Sequence, residues 1–279
     1  MANTIDWGEA SVNNTNGYGK GRINNTIRWG KIYDSSASGD TNIGTATTPS
    51  FSNTKSIALD GVDDFVEAKS TTLGLNSAIS ISLWVKTTQS TSGFKQLIGE
   101  YHWSNSNKRN WVLYLSNGGN RIAFIVHNDA GQRPINTVVS ASDANIDDGN
   151  WHHIMVTWDG TTNTNSFNIF FDGVNVKQAT PSLTGIRASD TPLLIADGTN
   201  GNVEFQGNMD EIAVWNSDQS ANINDIYNSG VPTSLATYNP LLWYRCGDGD
   251  TAPTLTDNGS GGNNGTMTNF STFSTDVPT

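Results

Sequence analysis

Residues 148–176 read DGNWHHIMVTWDGTTNTNSFNIFFDGVNV. Two runs within this stretch alternate. Over residues 151–158, His152, Ile154, Val156 and Trp158 lie on one side of a pleat, because successive side chains of a strand point to opposite faces. Over residues 167–172 the apolar set is Phe167, Ile169 and Phe171, again at period two. Asp159-Gly160 and Asp172-Gly173 end the two runs with residue types that tolerate positive φ. A polar loop, residues 161–166, joins them. The stretch predicts an antiparallel hairpin with one buried face. His152 is expected to be a core histidine there, with a partner for its ring nitrogen.

The rest of the chain has a matching composition. The 279 residues suffice for one large all-β domain with an appendage, or for two small domains. Hydrophobic residues make up 35% and charged residues 15%. Much of the remainder is Asn, Ser, Thr and Gly, which build turns rather than helices. The formal net charge of −11 argues against nucleic acid or an anionic membrane as partner, since both need a basic patch. It suits calcium, which takes carboxylate and carbonyl oxygens. The one cysteine, Cys246, rules out an internal disulfide framework. The opening MANTIDWGEA has no basic and no apolar region, so no signal peptide is expected. No run approaches the roughly 18–20 apolar residues of a membrane span.

Residues 1–50 form a zone rich in Asn, Gly and Thr, with no sustained apolar period. They are either a flexible leader or a docking arm. The aromatics favour the arm, which would bury Trp7, Ile27, Trp29, Ile32 and Tyr33 on a partner. Residues 51–279 are expected to form the folded domain. SIALDGVDDFVE (56–67) reads as strand, acidic turn and strand. ISISLWVK (79–86) directs Ile79, Ile81, Leu83 and Val85 inward and leaves Trp84 on the opposite face. Further strands are expected over 96–101, 111–115, 121–127, 193–196, 209–215 and 241–245. A turn at 117–120 should join two of them. Residues 220–229 are the one convincing helix, with Ile223, Ile226 and Tyr227 at spacings of three and four. Short strands separated by Asp-Gly and Asn-Gly turns indicate a sandwich or jelly roll.

Six blocks occur in a telling order: ALDGVDDFVE, ISISLWVK, GNWHHIMVTWDG, FNIFFDGVNV, LLIADG and GNMDEIAVWN. Together they resemble the laminin-G-like, pentraxin-like branch of the concanavalin A-like lectin/glucanase superfamily, over roughly residues 55–230. The resemblance implies a jelly roll of two antiparallel sheets, with ligands on one face or on rim loops. In many members a strand and Asn-Gly-Thr turn precede the first block. Here a similar segment, residues 241–269, follows the helix. Residues 240–279 therefore supply either a permuted strand to the same sandwich or an exchanged strand to a neighbour. Residues 1–50, with the run WGKIYD (29–34), are similar to structural proteins of marine tailed phages. That similarity implies a homo-oligomeric capsid-decoration or tail component on the virion surface.

The candidate chemistry is limited. In related jelly rolls an acidic residue opening the last strand helps hold a structural calcium, which here implies Asp210 together with Asp60 and Asp63 of the DGVDD turn. Without an ion, the same aspartates simply cap turns. No zinc motif is present. Glycoside hydrolysis needs a spaced pair of carboxyl groups, whereas Asp210-Glu211 and Asp63-Asp64 are each adjacent, so no enzyme is expected. A sugar site needs aromatic faces with a few fixed polar groups. Trp84, Tyr101, Trp103, Asn105 and Arg109 are the candidates, unless the tryptophans fill the sheet interior. The expected function is a non-enzymatic virion protein whose lectin-like jelly roll binds host surface glycans. The alternative is a secreted bacterial carbohydrate-binding module or polysaccharide-degrading enzyme of the same fold.

Overall fold

In a computed structural model of the protein, Trp151–Trp158 and Phe167–Phe171 pair antiparallel, with Val156 opposite Ile169 and Trp158 opposite Phe167. Phe167–Phe171 pairs in turn with Val174–Ala179 through the two-residue Asp172-Gly173 turn. Both turn residues have positive φ, 48° and 76°, the geometry that suits the twist of a hairpin. The structure describes residues 9–11, 31–33, 51–89, 93–116, 121–140, 142–199 and 201–279. The expected turn at 117–120 lies outside them.

The chain divides into two units, Met1–Phe51 and Ser52–Thr279. In the first, Glu9–Ser11 and Lys31–Tyr33 form a parallel pair. Trp7, Ile27 and Trp29 of the expected arm lie outside the described residues, and Ile32 and Tyr33 are described only as backbone of that pair.

Among the described residues the second unit is an all-β sandwich of two eight-stranded sheets. At the centre of the first sheet, Ile79–Lys86 lies between Trp151–Trp158 and Gln206–Trp215. The second sheet contains Lys95–Tyr101, Arg109–Ser116, Arg121–Val126 and Ile135–Val138 as consecutive antiparallel neighbours. Period-two alternation delivers the core between the sheets. Ile79, Ile81, Leu83 and Val85 meet Ile154, Val156 and Trp158 from their own sheet and Trp111, Leu113 and Phe124 from the other. Fully burying each such side chain contributes roughly 1.5–3 kcal/mol.

Strands after residue 240 pair with this same chain. Leu242–Tyr244 joins Gln206–Trp215, Gly265–Thr268 joins Phe65–Lys69, and Phe273–Ser274 joins Ser56–Asp60. The tail thus contributes to both sheets. The Tyr244 hydroxyl donates to the Ala68 carbonyl at 3.2 Å, a contact within the core.

Two expectations are corrected. The first sheet is covered on both faces, so Ser80, Ser82, Trp84, His153, Met155 and Thr157 are buried as well. Its cover includes the segment running into the expected helix, which is a short α turn, Ile223–Tyr227, flanked by 3-10 turns. Ser80 Oγ donates to the Ser217 carbonyl and accepts from the Gln219 amide, tying that segment down. Finally, His152 is not the core histidine. It sits half-buried at the strand's start, with Nδ1 2.7 Å from Asp172 and Nε2 3.1 Å from Asp148. Burial lowers its pKa, but the two carboxylates outweigh burial and leave it raised. The core histidine is its neighbour His153, fully buried on the opposite face. Among the described residues no helix is long and apolar enough to cross a membrane.

Candidate glycan-binding face

The outer face of the second sheet carries the candidate site. In Arg109–Ser116, Trp111, Leu113 and Leu115 point into the core, so Val112 and Tyr114 point outward. In Arg121–Val126, Ala123 and Ile125 do the same. Tyr101, which ends Lys95–Tyr101, joins them. The result is an apolar floor on a face that an ordinary half-solvated sheet would leave polar.

Aromatic rings stand on this floor. Trp103 meets Tyr101 edge-on at 5.0 Å and Tyr114 edge-on at 5.7 Å. Phe94 stacks on Trp103 at 5.4 Å and meets Tyr114 edge-on at 5.5 Å. Tyr101 and Tyr114 are buried, Trp103 is half-buried, and Phe94 is 41% exposed. Phe94 and Trp103 therefore form the accessible part, and the tyrosines support them. Trp103 is held firmly. Its indole N–H donates to Gln96 Oε1 at 3.0 Å, and its amide donates to the Thr199 carbonyl. Gly198 makes this possible, since a Cβ there would lie 2.3 Å from the Trp103 indole nitrogen.

Polar and charged groups rim the aromatics. Arg109 donates through Nε to the His102 carbonyl and through Nη2 to the Trp103 carbonyl, and its guanidinium lies 5.3 Å from the centre of the Tyr101 ring. Asn105 is exposed and accepts from the Asn107 amide at 3.0 Å, which shapes the 102–109 loop. Arg187 donates to the Ser106 carbonyl at 2.6 Å. The loop that carries it is fastened to the sheet by Asn110, which accepts from the Ser189 amide and donates to the Ser189 carbonyl and to buried Glu100. An open cavity of about 420 Å³ lies among these loops, lined by Asn107, Asp129, Arg187, Ala188 and Ser189. His127 closes the floor with its ring 5.8 Å from Tyr101. Its pKa falls to about 4, through burial first and then through Arg133, Arg109 and Arg187.

The structure brings Tyr101, Trp103, Asn105 and Arg109 together and leaves Trp84 out. Trp84 lies in the first sheet, is 3% exposed, and is stacked against Tyr227 at 5.9 Å. Phe94, Tyr114, His127, Arg133 and Arg187 were not expected. A signal for one of them, Tyr114, existed. The runs WVLYL and RIAFIV are apolar on both phases of the pleat, the mark of a strand with work on each face.

The calcium expectation divides in the same way. Asp60, Asp63 and Asp64 place carboxylate oxygens within 4.8 Å of one another, a hard-oxygen set that fits calcium. Asp60 also accepts from the Val62 amide at 2.8 Å, as a turn residue does without an ion. Asp210 does not join them. Gln206 is the residue opposite Asp60, so Asp210 lies four residues, roughly 13 Å, further along the strand. It is buried and accepts from Asn53 and from the Glu211 amide. Burial and then the Glu211 charge push its pKa well above the usual carboxylate range. Glu211 is buried beside it and accepts from Trp243 Nε1 at 2.6 Å, and burial lifts its pKa to about 7 against the pull of Arg245.

The sequence matches the Laminin_G_3 family of the concanavalin A-like lectin/glucanases superfamily over residues 60–222. Among solved structures it is similar to a candidate carbohydrate-binding protein from Bacteroides ovatus, at 18% identity and a TM-score of 0.63. That match covers 82% of this chain and 62% of the other, so the chain spans under two thirds of its relative's length. It is also similar to the heptameric SAP-like pentraxin of Limulus polyphemus, at 10% identity and TM-score 0.47, covering 63% and 82% of the two chains. A third is the CBM40 of the Ruminococcus gnavus IT-sialidase, at 13% and 0.47, covering 62% and 95%. At these identities the likenesses bear on the fold alone. None of the curated proteins matches the sequence.

Proposed function

The chain belongs to the concanavalin A-like lectin/glucanases superfamily, and from the aromatic face described above we infer that it is a non-catalytic glycan-binding module. The observation that carries this reading is the platform of Phe94 and Trp103 on buried tyrosines, rimmed by polar loops. Sugars present C–H surface to an aromatic ring and hydroxyls to polar groups, and this face offers both. The adjacent acids of Gln206–Trp215 support a non-catalytic role. Asp210 and Glu211 are both buried and committed to internal partners, so they do not flank a substrate groove.

Within this reading the chain is a surface component of a phage virion that attaches to host glycans, built into a homo-oligomer by residues 1–50. The support is the similarity of WGKIYD (29–34) to such proteins. Trp29→Ala should block incorporation into particles while leaving the melting of the sandwich unmoved.

The glycan reading is tested by printing neutral and acidic oligosaccharides on an array and probing with the purified chain. Wild type should bind a subset, and Phe94→Ala should lose that binding while melting within a few degrees of wild type, because its ring is 41% exposed. No binding to any glycan, or undiminished binding by Phe94→Ala, removes the reading.

A further inference from the structure

Resting on the glycan reading, we propose that this face selects acidic sugars, with Arg133, Arg109 and Arg187 recognising a carboxylate or sulfate beside the aromatic platform. The sandwich unit holds five arginines, and three of them gather here, in a chain whose net charge is −11. Arg109 lies against Tyr101. Arg187 lines the cavity. Arg133 is exposed in the loop between Arg121–Val126 and Ile135–Val138, whose first turn begins directly after His127.

Among the described residues these charges lack internal counter-charges, the hydrogen bonds of Arg109 and Arg187 going to backbone carbonyls. The ion pairs among the described residues belong to Lys86, His152 and Arg245, and none involves Arg109, Arg133 or Arg187. Like charges gathered without counter-charges repel one another, an arrangement that an incoming anion relieves. Among the described residues the one carboxylate lining the cavity is exposed Asp129, which forms an ion pair with none of the three. His127 adds a separate sign. It is 4% exposed, and its Nε2 has no hydrogen-bond partner. A buried polar atom without a partner is uncommon, and a ligand is one way to supply it. Neutral His127 can donate to a bound carboxylate or sulfate from that nitrogen. A guanidinium fork fits planar carboxylates in two parallel bonds, which gives geometric preference as well as charge.

The test measures binding of three oligosaccharides of equal length: a uronic-acid oligomer, a sulfated galactan and a neutral glucan. Wild type should bind at least one acidic oligomer about tenfold or more tighter than the glucan, in line with a charge-assisted bond. Raising salt from about 50 to 300 mM should narrow that gap. Arg133→Gln should remove most of the preference by weakening acidic binding while leaving melting unchanged, and Arg133→Lys should retain part of it. The balance between the uronate and the sulfate identifies which anion the fork accepts. Equal binding of acidic and neutral oligomers, or an Arg133→Gln variant that keeps the preference, overturns the proposal while the glycan reading stands. Failure of the wild type to bind any of the three, together with wild-type silence on the glycan array, overturns both.

Discussion

Each sheet of the sandwich carries aromatic rings and a histidine on its outer face, yet the two faces are finished differently. On the first, Trp84 and His153 lie 5.0 Å apart, and Tyr227 of the short helix lies over both, 5.9 Å and 5.6 Å away. Gly173 leaves room for that tyrosine, since a Cβ there would lie 2.5 Å from its ring. Ser82 engages His153 Nε2 at 2.8 Å. On the second face, no such helix lies over Phe94 and Trp103 among the described residues, and arginines surround the histidine. The contrast teaches that an outward aromatic says little by itself. What closes over it, and which charges gather round it, decide between packing and recognition.

The largest effect that could break this contrast is on the covered face. Trp84→Ala should remove a ring that is 3% exposed and leave a cavity under the helix. Loss of a buried tryptophan costs about 3–5 kcal/mol, so chemical denaturation should show a fall of that order. Glycan binding by the remaining folded protein should be unchanged. A variant that melts like wild type but loses binding would reverse the assignment of the two faces.

The two histidines sharpen the contrast at intermediate scale. Both have pKa values near 4, below the usual 6.5. The unfolded chain then binds more protons between about pH 4 and 6.5. Each histidine's contribution is therefore fully present above about pH 6.5 and lost as pH falls towards 4, by on the order of 2–3 kcal/mol. Buried Glu211, with its raised pKa of about 7, acts in the opposite direction, so differences between variants are more telling than one melting curve. His153→Phe should lose less stability than wild type between pH 7 and pH 4.5. The causes also differ. Burial alone lowers His153, while the three arginines assist burial at His127. Salt screens exposed charges but not burial, so 0.5 M salt should raise the pKa of His127 in an NMR titration and leave His153 in place. Equal shifts at both rings would mean that the arginines do not set the field at the open face.

Much of the fold was legible because period two is a strong signal when one face meets a core. ISISLWVK placed its inward residues correctly, and WHHIMVTW did so for Ile154, Val156 and Trp158. The outward residues were harder to read, because alternation assigns a side and not a cover. Trp84 looked available until Tyr227, 143 positions later, closed over it. His152 looked buried because it shares the phase of Ile154, yet a strand's first residues lie at the sandwich rim, where Asp148 and Asp172 reach it. Tyr101, Trp103 and Arg109 could be found because one short loop carries them. Arg133 and Arg187 could not, since separate loops bring them to the site. Asp210 and Asp60 were joined by family likeness, and strand register separates them.

The smallest expected effect concerns calcium, and it asks whether the open face depends on an ion. The remaining candidate set, Asp60, Asp63 and Asp64, lies in the turn that links Ser56–Asp60 of the first sheet to Phe65–Lys69 of the second. Asp60 and Asp63 are exposed, and Asp64 is buried with its pKa raised by burial and then by its acidic neighbours. Bringing three carboxylates this close costs energy that a divalent cation would return. Such an exposed turn suits weak binding, with Kd on the order of 1 mM. At about 5 mM calcium, linkage then gives roughly 1 kcal/mol of stabilisation, a small rise in Tm that chelator reverses. Asp63→Asn should erase the difference between calcium and chelator, and Asp210→Ala should preserve it while destabilising the protein in both buffers. Glycan binding should be the same with calcium or chelator, because arginines and aromatics line the open face. If chelation abolishes binding without moving the melting temperature, the ion belongs to the recognition site, and the division between a structural turn and an ion-free binding face is wrong.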